Sequence, residues 1–217
     1  MSDKRARVFP IMLLNNGKFV KTVQFNKEKY LGDPINALRV FNTKLVDEMI
    51  IIDYGVRSPN FDFIRSLASE CFMPVTYGGG VRVMSDVEKL IDAGIDKVCC
   101  NTLWWSNPSL MAEIIKEFGS STMIASVDLK TRRLGSRKIV AKKGLIPLGI
   151  SEAIIRCEQL GFGEILVTDV DREGTMRGLD LSLFDSIAKS ASVPVIAMGG
   201  AGTYQDVSSL LVNTSID

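Results

Sequence analysis

The sequence predicts an α/β protein of the (βα)8 or TIM barrel class, built from two half-barrels, with strand eight and its helix missing from the given chain. Three observations predict it. Short apolar or β-branched runs alternate with amphipathic helical stretches, and the runs are apolar on both faces, as in a parallel sheet covered by helices. Seven residues also repeat at one offset: Pro74, Val75, Gly79, Gly80, Asp86, Val87 and Leu90 recur 120 positions later as Pro194, Val195, Gly199, Gly200, Asp206, Val207 and Leu210. Finally, strands open near 7, 48 and 74 in the first half and near 123, 164 and 194 in the second, with the same 41-residue gap between the first two of each half. A duplicated half-barrel explains the repeat, and a doubly wound open sheet does not. The fourth strand opens near Lys97, so the offset places its counterpart at about Asp217, where the sequence given stops. Barrels of this class run to roughly 250 residues, so the expectation is a single barrel domain over 1–217, cut before strand eight.

The elements follow in order. Strands are expected over 7–14, 48–53, 74–77, 97–101, 123–128, 164–168 and 194–198. The first helix opens at Asp33-Pro34, an N-cap followed by proline at the first helical position. Further helices are expected over 59–70, 86–93, 108–118, 152–160, 181–191 and 205–212, with a long insertion after strand five.

Composition narrows the function. The chain has 217 residues, 46% hydrophobic and 24% charged, with 26 basic against 25 acidic side chains. A soluble globular domain is expected, with no basic excess for nucleic acid and no membrane span. No apolar leader follows Met1-Ser2-Asp3-Lys4-Arg5, so the cytoplasm is the default location. There is no histidine, and Cys71, Cys99, Cys100 and Cys157 form no CxxC pair. This removes Ser-His-Asp and Cys-His catalysis and imidazole metal sites. Neither metal nor cofactor is expected, and the chemistry falls to carboxylates, lysines, hydroxyls and backbone amides.

In such a barrel the active site lies at the carboxyl ends of the strands. Those ends are Leu13-Leu14-Asn15-Asn16-Gly17, Asp53, Gly78-Gly79-Gly80, Asn101-Thr102, Asp128, Thr168-Asp169 and Gly199-Gly200. The glycine runs let backbone N–H groups approach an anion, and Asn101-Thr102 adds donors beside the first. Two such loops related by the repeat suggest a ligand with a phosphate at each end. Asp128 closes an apolar run, where a carboxylate can carry a raised pKa and act as general acid or base; a cap or ion pair is the plain alternative. At the opposite end Arg7, Glu48, Lys97 and Glu164 open strands one, two, four and six, either as a stabilising salt-bridge plug or as a gate. Cys99 and Cys100 read as buried small hydrophobes, and Trp104-Trp105 as packing on helix four. The basic run Lys130, Arg132, Arg133, Arg137, Lys138, Lys142 and Lys143 belongs to the insertion, as a solvated hairpin or an anion-attracting lid.

Over nearly its whole length the chain resembles the cyclase subunit of imidazole glycerol phosphate synthase. The stretches that carry the resemblance are 16–22, Gly32-Asp33-Pro34, Val46-Asp47-Glu48, Tyr77-Gly78-Gly79-Gly80-Val81, Asp96-Lys97-Val98 with Asn101-Thr102, Phe118-Gly119-Ser120, Gly163-Glu164-Ile165-Leu166, Asp171-Arg172-Glu173-Gly174-Thr175 and Gly199-Gly200-Ala201-Gly202. The resemblance implies a barrel that takes ammonia from a glutaminase subunit docked at its bottom and uses it at the top to split a two-phosphate substrate and close an imidazole ring. It implies that Asp128 is the strand-five catalytic aspartate and that Gly80, Asn101, Thr102, Gly174 and Gly200 are phosphate-loop positions. It further implies that Arg7, Glu48, Lys97 and Glu164 form the ring through which ammonia enters, with Asp96 on the glutaminase-facing side.

One departure outweighs the agreements. The family places a second catalytic aspartate four residues before the strand-one glycine, and here that position is Leu13; Asn15-Asn16 stand where a lysine and an aspartate are usual. Leucine cannot move a proton, and loss of one acid-base group typically costs roughly 10²–10⁴ in rate. The sequence near Leu13, 32–37 and 70–74 resembles a side branch of the family associated with surface-polysaccharide enzymes. There the barrel and a glutaminase are thought to deliver ammonia to a separate sugar amidotransferase. That branch is favoured. A cyclase-lyase of histidine biosynthesis, a non-catalytic scaffold that activates the glutaminase, and a single-chain sugar-nucleotide isomerase follow in that order.

Overall fold

A computed structural model describes residues 6–132, 135–141 and 144–216. Of the positions singled out in the sequence, 1–5, Arg133, Lys142, Lys143 and Asp217 lie outside the described residues.

Seven parallel strands carry the fold: β1 (Ile11–Asn15), β4 (Met49–Asp53), β5 (Val75–Gly78), β6 (Lys97–Cys100), β7 (Met123–Thr131), β10 (Glu164–Asp169) and β11 (Val195–Met198). Neighbours in space follow the chain order of these seven, as a barrel requires. Helices α1 (Pro34–Thr43), α2 (Phe61–Glu70), α3 (Met84–Asp92), α5 (Pro108–Phe118), α6 (Ile150–Leu160) and α7 (Leu181–Ser190) are the crossovers, and α8 (Tyr204–Asn213) follows β11. The curled sheet is thus a partial (βα)8 barrel. Caps fix the helix starts: Asp33 accepts from Asn36 N at 3.0 Å, Asn60 from Phe63 N at 3.1 Å and Asp180 from Leu183 N at 3.0 Å.

Alternation along each strand splits the core in two. Outward residues such as Met12, Leu14, Ile51, Val98, Val127, Leu129, Val167 and Val195 pack against the helices. Inward Ile50, Cys99, Ile124 and Leu166 fill the barrel, with Phe9, Ile11, Ile52, Ile196 and Met198 against them. Cys99 and Cys100 therefore face opposite sides, both buried, and Trp104 is buried in the outer shell.

The repeat is visible in three dimensions. At Gly79 an added Cβ would strike the Asp53 carbonyl, and at Gly199 it would strike the Asp169 carbonyl. Both glycines have positive φ, 138° and 115°, so only glycine lets each loop fold against the neighbouring strand end. Asp86 caps α3 through Arg82 N and Val83 N at 2.8 and 3.1 Å, and Asp206 caps α8 through Gly202 N and Thr203 N at 3.0 and 2.8 Å. These are the same contacts, 120 residues apart.

Two hairpins decorate the carboxyl end. The first, β2 (Lys18–Val23) and β3 (Asn26–Gly32), was not anticipated, because β3 has no apolar alternation and is exposed along nearly its whole length. Its first turn was legible in Asn16-Gly17, with φ of 49° and 71°, a two-residue hairpin signal. Its second, Gln24-Phe25, takes φ of 57° and 55° without a glycine, which no turn rule predicts. The second hairpin, β8 (Arg137–Ala141) and β9 (Gly144–Ile146), extends β7 antiparallel and corresponds to the expected insertion after strand five. The short α4 (Leu103–Ser106) is a further addition.

Candidate functional site

The two ends of the barrel collect different chemistry. At the amino end Arg7 Nη1 lies 2.5 Å from Glu48 Oε1, and Arg7 Nη2 lies 3.0 Å from Glu164 Oε1. Lys97 Nζ completes the circuit, 3.3 Å from Glu48 Oε2 and 3.0 Å from Glu164 Oε1. All four side chains expected in a ring thus come together, with charges alternating around the axis. Burial opposes the Arg7 charge, but the hydrogen bonds it donates to the two glutamates and their negative charges outweigh it and raise its pKa. Glu164 Oε2 is buried without a hydrogen-bond partner among the described residues, so both cations bond the other oxygen of that carboxylate.

Around this ring the loops entering the strands expose apolar side chains. Leu45 before β4 is 86% exposed and Phe72 before β5 is 87% exposed. Phe72 is held on a fixed backbone, since its N–H donates to Asn42 Oδ1 at 3.1 Å while Asn42 Nδ2 donates to the Glu70 carbonyl at 2.7 Å. Asp96 lies on the same end, exposed, and accepts from Val75 N at 2.8 Å.

At the carboxyl end Asp128 points inward, two positions above Ser126 on β7. Asn101 Nδ2 donates to Asp128 Oδ2 at 3.1 Å, and Ser126 Oγ donates to Oδ1 at 3.5 Å. Burial pushes the Asp128 pKa up to about 6, against the lowering effect of hydrogen bonds from Thr168, Ser126 and Asn101. No cation lies within ion-pair distance among the described residues, so the donors are all neutral. Asn101, read from the sequence as a phosphate donor, has its amide engaged by Asp128 and Ser126. Ser126 was missed, although a polar residue two positions before Asp128 in an apolar run shares its face by alternation. On β1 the residue on the same inward face is Leu13, 5% exposed, two positions above inward Ile11.

The glycine loops sit beside this site. The N–H groups of Gly80 and Val81, and of Gly200 and Ala201, donate to no acceptor among the described residues, which leaves each pair free for an anion. Thr102 is exposed at the start of α4. Gly174 has φ of 65°, and an added Cβ would strike the Thr22 carbonyl. This close approach docks the first hairpin on the loop after β10, and Glu173 fastens it by accepting from Thr22 Oγ1 at 2.9 Å and Phe25 N at 2.8 Å. That buried glutamate carried no sequence signal beyond its place in the Asp171–Thr175 stretch.

The two strand-end aspartates related by the repeat differ. Asp169 pairs with Arg137 at 3.3 Å and Arg172 at 3.6 Å. Among the described residues Asp53 has only the Tyr77 hydroxyl, which donates at 3.3 Å, and its pKa is raised by burial more than that bond lowers it.

Among the described residues no helix is long and apolar enough to cross a membrane, and no group of three or more His, Cys, Asp or Glu could hold a metal ion. The family described as histidine biosynthesis protein matches residues 7–217. The chain is 39% identical to the hisF2 protein of Pseudomonas aeruginosa, over 98% of this chain and 87% of that one. It is 38% identical to the imidazole glycerol phosphate synthase subunit HisF of Streptomyces coelicolor, over 91% of this chain and 81% of that one. The hisF3 protein of Vibrio vulnificus is 31% identical, over 95% and 82%. Barrel order, family match and these relatives agree: the chain belongs to the histidine biosynthesis protein family, as a HisF-like barrel subunit.

Proposed function

We propose that this barrel receives ammonia from a glutaminase subunit docked at its amino end and serves the amidation of a surface-polysaccharide sugar by a separate amidotransferase. In this reading Arg7, Glu48, Lys97 and Glu164 are the ammonia gate, and Asp96 with exposed Leu45 and Phe72 belongs to the docking face. The apolar barrel interior suits passage of neutral ammonia. Gly80, Asn101, Thr102, Gly174 and Gly200 hold a two-phosphate small molecule at the carboxyl end. Asp128 is the group that moves protons there.

The observation that carries the reading is Leu13. Ring closure by opposed general acid and base needs two proton-transfer groups across the barrel, and the inward position on β1 offers a buried isobutyl group. The test is genetic and chemical. Deleting the gene should remove amidino groups from the surface polysaccharide, read by mass spectrometry, while the strain still grows without histidine. Histidine auxotrophy with an unaltered polysaccharide would overturn it.

A second reading, a working cyclase-lyase of histidine biosynthesis, draws on Asp128 itself. A carboxyl with pKa about 6 is suited to give and take protons near neutrality. In that case Leu13→Asp would change turnover little. If the barrel is instead a scaffold that activates the glutaminase without passing ammonia, Glu164→Trp would leave ammonia transfer unaffected.

A further inference from the structure

The second hairpin carries two lysines that nothing above employs. Strand β7 continues past Asp128 to Thr131 and pairs antiparallel with β8, so that Lys130 stands directly opposite Lys138, Thr131 opposite Arg137, and Asp128 opposite Val140. The two faces of this ribbon are assigned by packing. Leu129, Ile139 and Ile146 are buried in the outer shell, so Asp128, Lys130 and Lys138 share the other face, the one over the barrel mouth. Arg137, on the outer face, is doubly paired, with Asp169 at 3.3 Å and Asp180 at 2.6 Å. Lys138, the next residue, has no carboxylate within 4.0 Å among the described residues, and neither has Lys130. Asp171 accepts from Thr131 N at 2.6 Å.

Like charges directly opposite on paired strands repel, and here Lys138 is exposed and Lys130 half-buried. An anion between them removes that repulsion. The pair sits on the same face as Asp128, at the end of the barrel where the free N–H groups of Gly80, Val81, Gly200 and Ala201 lie. We infer that Lys130 and Lys138 form an anion subsite over the barrel mouth that clamps a phosphate-type group of the ligand between their ammonium groups. Its two point charges on flexible stems suit a group that arrives in more than one orientation. The inference rests on the carboxyl end being the ligand-binding face.

The test is a two-dimensional amide NMR titration of the full chain with inorganic pyrophosphate, repeated on Lys130→Met, Lys138→Met, the double variant and Lys130→Arg. Amides of 129–131 and 137–139 report the lysine subsite, and those of Gly80, Val81, Gly200 and Ala201 report the glycine loops independently. The expected result is saturable shifts in the hairpin, weakened at least tenfold by either methionine, weakened little further by both, and retained by arginine. Weakening should be accompanied by a shallower dependence of affinity on salt. Hairpin amides that stay still while the loop amides move would overturn the subsite and leave the phosphate loops standing. Hairpin shifts with silent loops would support the subsite and count against the loops. Methionine variants that bind within twofold of the unaltered chain, or no binding by either region, would overturn the inference.

Discussion

At the amino end of the barrel two glutamates and two cations meet in a closed ring, each carboxylate touching both cations. At the carboxyl end Asp128 sits among amide and hydroxyl donors with no cation within ion-pair distance among the described residues, and the inward residue on β1 is Leu13. Both ends carry charge into a low-dielectric interior, and only one compensates it. The first arrangement satisfies each charge with two of opposite sign. The second holds a charge at a cost, which is how a proton-transfer group with a pKa near neutrality is made.

This difference predicts opposite signs for removing a carboxylate at either end. The largest effect should come from Glu164→Leu, which strands Arg7 and Lys97 with one acceptor between them. Breaking such a part-buried pair costs about 2–4 kcal/mol, measurable by urea denaturation. Asp128→Asn should do the reverse. A carboxyl whose folded pKa is raised binds its proton more tightly in the folded state, so its stabilising contribution is complete below the unfolded value and lost as pH rises through the folded value of about 6. At pH 7.5 the asparagine variant should therefore be more stable by roughly 3 kcal/mol, with the advantage gone below about pH 4. A loss of stability at pH 7.5 would mean that Asp128 is compensated after all.

Two smaller effects sharpen the contrast between ends and between halves. Phe72→Asp should lower affinity for the glutaminase by about tenfold or more while leaving the barrel's own stability within about 0.5 kcal/mol; an equal loss on the carboxyl rim would misplace the docking face. Asp86→Ala and Asp206→Ala, equivalent caps in the two halves, should each lower stability by a similar small amount, and a large disparity in urea midpoint would show that the halves are no longer energetically equivalent.

Much of this was legible in the residues. The 120-residue repeat carried the barrel, because the glycine that must fold against a strand end and the aspartate that must cap the next helix are demanded by the same geometry twice. The charged ring was legible because Glu48, Lys97 and Glu164 sit at or beside the starts of strands, while Arg7 precedes β1, which begins only at Ile11 rather than at the expected residue 7. What escaped depends on contacts between distant segments. The β2–β3 hairpin is fastened by Glu173 and by the close approach of Gly174 to Thr22, 151 residues away in the Thr22–Glu173 bond, and its exposed strand has no apolar face to read. The Asn101 amide turns across to Ser126 and Asp128 on β7, a contact between strands that the sequence alone does not display.

The most direct measurement is ammonium-dependent turnover of the histidine-pathway substrate, the phosphoribulosyl formimino-AICAR phosphate, by the unaltered protein and by Leu13→Asp, followed by the loss of substrate absorbance. The account predicts turnover by the unaltered protein roughly 10²–10⁴ below aspartate-bearing relatives, and a large gain when the second carboxylate is restored. Turnover equal to those relatives, unchanged by Leu13→Asp, would contradict it.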